Sequence, residues 1–157
     1  MIRPALPTDA PGLWAIWTPV IRDTTHIFHT TERSEDEIAA LAQGADPFLV
    51  WEEGGQVLGF ARCFPFRAGN GYAQTVEHTI LLRPDARGRG IGRRLIDALA
   101  DTAAAQGKHT MWGAISAENA AGIAFHAACG FREHGRLPEV GYKFGRWLDL
   151  VLMGRRL

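Results

Sequence analysis

Twelve consecutive residues, Arg83 to Arg94 (RPDARGRGIGRR), carry five arginines against one aspartate, a local excess of four positive charges. Gly88, Gly90 and Gly92 alternate within them, just ahead of an apolar periodicity that predicts a helix. Such a junction suits an anion. Backbone N–H groups at a helix start lack intrahelical acceptors, the helix dipole adds partial positive charge, and glycines let a phosphate approach the main chain. A dinucleotide fingerprint would need Gly at position 93, where Arg93 stands, and a P-loop would need Gly-Lys-Ser/Thr. A solvated glycine turn is the competing reading. Two other groups can move protons. Glu77 lies six residues before Arg83, among the apolar Val76, Ile80, Leu81 and Leu82. A carboxylate there can act as a general base, or it can simply face solvent. His126 can donate or accept a proton near neutral pH, or pack through one satisfied nitrogen. The other histidines (His26, His29, His78, His109, His134) show no metal-ligand spacing, and no metal site is expected. His78 alternates with Glu77 and should face the other side of its strand.

These groups need elements to hold them. Met1–Ala5 predicts a first strand, and Thr8 or Asp9 can cap a helix carrying Leu13, Ile16, Trp17, Val20 and Ile21. Thr24–Thr31 reads as a loop, and Ser34 with Glu37 forms a capping box for a helix ending near Gly44. Pro47–Glu53 and Gln56–Phe66 are strand-like and meet at Gly54-Gly55, a hairpin signal. Arg67–Gly71 should turn, and Tyr72–Arg83 should be a long strand stopped by Pro84. A helix with Ile91, Leu95, Ile96 and Leu99 on one face runs to about Gln106, with Gly107 as its cap. His109–Ser116 is a strand, Asn119–Cys129 a helix, and Phe131–Val140 and Trp147–Met153 close the chain as extended runs.

Composition narrows the class. The chain has 157 residues, with 17 Lys+Arg balancing 17 Asp+Glu. That length fits one domain, 1–157, able to bury roughly 68–70% of its unfolded surface. Zero net charge argues against a nucleic-acid partner. Cys63 and Cys129 are too far apart for a Cys-x-x-Cys motif, and no apolar run approaches the ~18 residues of a membrane span. No signal peptide is evident, so a soluble, cytoplasmic protein is expected.

Arg87-x-x-Gly90-x-Gly92 after a strand resembles the acyl-CoA pyrophosphate loop of the GNAT superfamily of N-acetyltransferases. Asn119, then Phe125-His126, then Gly130-Phe131 resembles the family helix that begins with Asn beside the pantetheine arm and ends in Gly-aromatic. Thr75-Val76-Glu77-His78 and Gly141–Asp149 (GYKFGRWLD) are similar to the branch containing phosphinothricin and methionine sulfone/sulfoximine acetyltransferases. The resemblance covers nearly the whole chain. It implies an α/β fold, with a central mixed, mostly antiparallel sheet flanked by helices and splayed to admit acetyl-CoA. It further implies transfer of acetyl to the α-amine of a small amino-acid analogue, and a homodimer. Glu77 would be the base, and His126 would stand where relatives protonate the departing thiolate. Arg87, Gly88, Arg89, Gly90, Ile91, Gly92 and Arg93 would cradle the pyrophosphate. Ile80, Leu81 and Leu82 would hold the pantetheine amides as an added strand does, with Asn119 alongside. Phe28, Arg67, Gly71, Tyr72 and Phe144 would line the acceptor pocket, an arginine there pairing with the acceptor carboxylate. Phosphinothricin enzymes of this branch tend to carry His where Phe144 and Leu148 stand, a departure that bears on phosphinothricin as acceptor. A protein N-terminus or a polyamine is the alternative acceptor, and a non-catalytic CoA-binding module the alternative class.

Overall fold

The computed structural model describes residues Met1–Leu157. Seven strands form one sheet: β1 (Ile2–Pro4), β2 (Phe48–Glu53), β3 (Gln56–Pro65), β4 (Thr75–Leu82), β5 (Thr110–Ser116), β6 (Arg132–Lys143) and β7 (Arg146–Arg156). Their spatial order is β1-β2-β3-β4-β5-β7-β6, and every pair is antiparallel except β4–β5. A parallel pair needs a crossover, and α3 (Ile91–Ala105) supplies it. The sheet is mixed and mostly antiparallel, as the resemblance implies.

Alternation along the strands sends side chains into two cores. On one face Leu95, Ile96 and Leu99 of α3, all fully buried, pack on Ala61, Cys63, Val76, Met111 and Val151. On the other face α1 (Ala10–Asp23) and α2 (Glu35–Ala42) place Leu13, Trp17 and Ile38 against Val50, Val57 and Phe60. Each fully buried aliphatic contributes about 1.5–3 kcal/mol. β4 therefore has two unlike sides: Val76, His78, Ile80 and Leu82 lie toward α3, and Glu77, Thr79 and Leu81 toward α1 and α2.

Three elements differ from the expectation. The strand expected from Tyr72 begins at Thr75, because Asn70–Tyr72 closes a 3-10 turn. Asp9 does not cap α1; its carboxylate accepts from Leu6 N at 2.8 Å and from Arg3 at 2.7 and 2.8 Å, tying down the turn before the helix. β6 runs on to Lys143 and β7 starts at Arg146, so the closing runs are one long hairpin. Its turn is Phe144-Gly145, both with positive φ, a shape that matches strand twist and is hard to anticipate with Phe in first place.

Candidate active site

β4 and β5 pair only at Thr75–Thr110, Val76–Met111 and Glu77–Trp112. Beyond Glu77 they part, although β3 stays with β4 to Leu82 and β7 stays with β5 to Ser116. Main-chain groups of residues 78–82 and 113–116 thus face a V-shaped gap whose apex is Glu77. Ile80, Leu81 and Leu82 form one arm. Asn119, just past the end of the other arm, caps α4 (Ala120–Ala128) by accepting from Gly122 N at 2.9 Å. Its capping role is thus present, and its amide NH2 has no protein partner.

The open end of the gap meets the start of α3. Gly90 is the N-cap residue, with φ 75° and no side-chain cap, and Gly88 has φ 74°. A Cβ on either would touch nothing, so an anion can reach this backbone unobstructed. Gly92 and Ile91 differ from the expectation as side-chain positions. Both are buried, and a Cβ on Gly92 would lie 3.1 Å from the Phe125 ring, so this glycine lets α3 and α4 approach. The arginine cluster is also thinner than its count. Arg83 pairs with Asp85, Arg89 with Glu53, and Arg93 with Asp97 while donating to Ala128 O. Arg94 lies over Trp51, which leaves Arg87 exposed with no hydrogen-bond partner.

Glu77 is half-buried, makes no hydrogen bond, and stands opposite Phe64 on β3 and beside Trp112 on β5. Burial pushes its carboxyl pKa up. A desolvated carboxylate without a donor is a good proton acceptor. His78 does face the other way, as alternation requires, but it is not inert packing. Its Nδ1 lies 2.9 Å from Trp112 O, and its Nε2 lies 2.9 Å from Nε2 of His126. His126 Nδ1 lies 2.6 Å from Gly122 O. The pair therefore stitches β4, β5 and α4 together at the apex of the V. Carbonyls only accept, so each Nδ1 must donate, and the N···N contact needs one more hydrogen. Full satisfaction takes three protons on two rings, one more than a neutral pair owns. Burial opposes that third proton: it pulls His126 down, and with the positive forms of His126 and Arg155 it pulls His78 down to about 3. Both nitrogens of His126 are engaged, so any proton it gives must come from the contact with His78.

The expected acceptor residues fall into two groups. Arg67, Gly71 and Tyr72 sit on the β3–β4 connection beside a cleft of about 390 Å³ that Arg67 and Tyr72 line, with the Arg67 guanidinium 5.7 Å from the Tyr72 ring centre. Gly71 is exposed, and a Cβ there would meet nothing. Phe28 and Phe144 lie elsewhere. Phe28 lies so close to Gly141 that a Cβ there would be 2.4 Å from its ring, and Phe144 is 58% exposed in the β6–β7 turn. Lys143, 2% exposed, holds the 24–31 loop by donating to Ile27 O at 2.7 Å, and Glu118 joins Arg146 to Thr25. Sequence reasoning missed His78, Lys143 and Arg62. The signal for Arg62 was available: a charge in the middle of an apolar strand. No group of three or more His, Cys, Asp or Glu is placed to hold a metal ion, and no helix is long and apolar enough to cross a membrane.

Residues 14–131 match the acetyltransferase (GNAT) family. The chain is 41% identical to the L-methionine sulfoximine/L-methionine sulfone acetyltransferase of Pseudomonas paraeruginosa, over 97% of this chain and 91% of that protein. It superposes with TM-score 0.95 on a ribosomal-protein-alanine N-acetyltransferase from Brucella melitensis, at 38% identity, covering 100% of this chain and 99% of that one. A phosphinothricin acetyltransferase from Sinorhizobium meliloti in complex with AcCoA gives TM-score 0.91 at 33% identity, over 100% and 88% of the two chains.

Proposed function

The chain belongs to the acetyltransferase (GNAT) family and is an N-acetyltransferase, and we propose that it transfers acetyl from acetyl-CoA to the α-amine of a small amino-acid analogue such as methionine sulfone or methionine sulfoximine. The parting of β4 and β5 directly after Glu77 carries this reading. It opens main-chain donors and acceptors for the two amides of pantetheine, between a glycine-lined helix start and a desolvated carboxylate. Acetyl-CoA supplies the activated thioester; the chain supplies the rest. Arg87 and the backbone at Gly88 and Gly90 bind the pyrophosphate. Residues 80–82 orient the arm, with the Asn119 amide beside it. Glu77 takes the proton that the ammonium must lose before its nitrogen can attack, and His126, bonded to Gly122 O and His78, positions α4 beside the gap, since a thiolate whose thiol pKa is about 8.5 can depart without a donor.

Thiol release with acetyl-CoA across acceptors tests it. Methionine sulfone should exceed spermidine and N-terminal peptides in kcat/KM. A protein N-terminus is the second reading, favoured by the likeness to the Brucella melitensis structure. An alanine-initiated peptide outperforming methionine sulfone would install that reading instead, and a polyamine doing so would remove both.

A further inference from the structure

Arg62 is a charged residue that the fold leaves without a counterpart. It lies on β3, is 8% exposed, and makes no hydrogen bond or ion pair with any residue. Its guanidinium is boxed by aromatic rings, 5.1 Å from the centre of Phe64, 5.8 Å from Phe48 and 6.0 Å from Trp17. Trp51 Nε1 is the one side-chain nitrogen or oxygen that is both sealed from solvent and without a partner. The Arg62 nitrogens, equally without partners, therefore keep access to water despite the burial of the residue. A guanidinium stays charged under such conditions, and its partial removal from bulk water is not compensated by any carboxylate bonded to it. Its donors are free among aromatic rings, a setting in which an incoming carboxylate binds through two parallel hydrogen bonds.

Arg62 pairs across the sheet with Thr79, and Phe64 pairs with Glu77, so Arg62 and Glu77 are diagonal neighbours on the face toward α1. A two-residue step along a strand is about 7 Å, which suits one group holding an α-carboxylate while the other meets the adjacent amine. The guanidinium lies beside the ring of Phe64, the residue that pairs with Glu77 across the sheet. Arg33 stands 5.0 Å from the centre of the same Trp17 ring, adding positive charge nearby. Asp46 is the acidic group near enough to favour the charge on Arg62, and it is exposed and not bonded to it.

Resting on the amino-acid acceptor reading above, we infer that Arg62, rather than Arg67, is the residue that selects acceptors bearing a carboxylate next to the amine. Arg67 is exposed and lies over Tyr72, on the connection before β4. The experiment compares methionine sulfone with its α-carboxamide as acceptors for wild type, Arg62→Met and Arg62→Lys, with circular dichroism and acetyl-CoA titration as controls for folding and cofactor binding. Arg62→Met should raise KM for the acid by roughly 30-fold or more, the scale for removing one partner of a buried charge pair. KM for the carboxamide should change by less than about 3-fold, and Arg62→Lys should recover part of the loss. Equal losses for acid and carboxamide, or no loss for either, would overturn the assignment while leaving the acceptor class standing. A wild type inactive on all amino-acid analogues would overturn the acceptor class, and this selection with it.

Discussion

Glu77 has no donor to hold its charge, and its burial favours the protonated carboxyl. The acid limb of kcat/KM should therefore lie above the ordinary glutamate value of about 4.3. Glu77→Gln keeps the shape and removes the base, so kcat should fall ~10²–10⁴-fold with calorimetric acetyl-CoA affinity unchanged. Raising the pH should restore part of it, since more amine then arrives deprotonated. An unchanged kcat would make Glu77 an ordinary strand residue. The histidine pair predicts a stability effect of definite sign. An unfolded histidine takes its proton near 6.5, whereas folded His78 takes one only near 3. The unfolded chain then binds more protons as pH falls, so stability present above about 6.5 is lost progressively toward 3. Denaturant midpoints at pH 7.5 and 5 should show that loss, and His78→Phe should flatten it. A slope identical in the variant would assign the acid sensitivity to other groups.

At the scale of elements, two glycines two positions apart do opposite things. Gly90 needs its left-handed φ and borders open space; Gly92 is an ordinary helical residue against Phe125. Gly90→Val should cost roughly 1–2 kcal/mol of stability through backbone strain and weaken acetyl-CoA binding more than tenfold by calorimetry. Gly92→Val should instead cost about 1–3 kcal/mol by overpacking α3 on α4, with weaker binding only as far as the helix shifts. Reversed outcomes would mean that the pyrophosphate does not sit at the α3 start. The same contrast marks what was legible. Glycine spacing and arginine count pointed to a cradle, but which glycine faces outward depends on where Phe125 lands, and which arginine is free depends on Glu53, Asp97 and Ala128. Apart from Asp97, four residues from Arg93 on the same helix, those partners are 33 or more residues away in the chain.

For the molecule as a whole, the outer strand β6 and its turn present an apolar end. Val140, Tyr142, Phe144 and, on the adjoining start of β7, Trp147 are 52–61% exposed, the Tyr142 and Trp147 rings tilted against each other with centres 4.8 Å apart. Aromatic groups of this size rarely stay open to water in a stable protein without a partner. A second copy of the chain is the proposed occupant, in line with the homodimer the resemblance implies. Sedimentation should give twice the chain mass, and Trp147→Glu should give the monomer. A monomeric wild type would remove the proposal. Because Lys143 and Arg146 tether the 24–31 loop to this hairpin, a dimer-breaking variant should also raise the acceptor KM.

Local patterning determined the order of strands and helices, the capping box at Ser34, the hairpin at Gly54-Gly55 and the glycine-rich junction before α3, because each depends on neighbours within a few residues. The family resemblance pointed to Glu77 and His126 because its motifs are ordered along the chain. Tertiary structure decided where β4 and β5 separate, since a strand's sequence does not record where its partner leaves it. It also decided that His126 meets His78, 48 residues away, and that a lone arginine on β3 shares a face with Glu77. Those outcomes are set by sheet register and by which carboxylates fail to arrive, and both exist only once the chain has closed on itself.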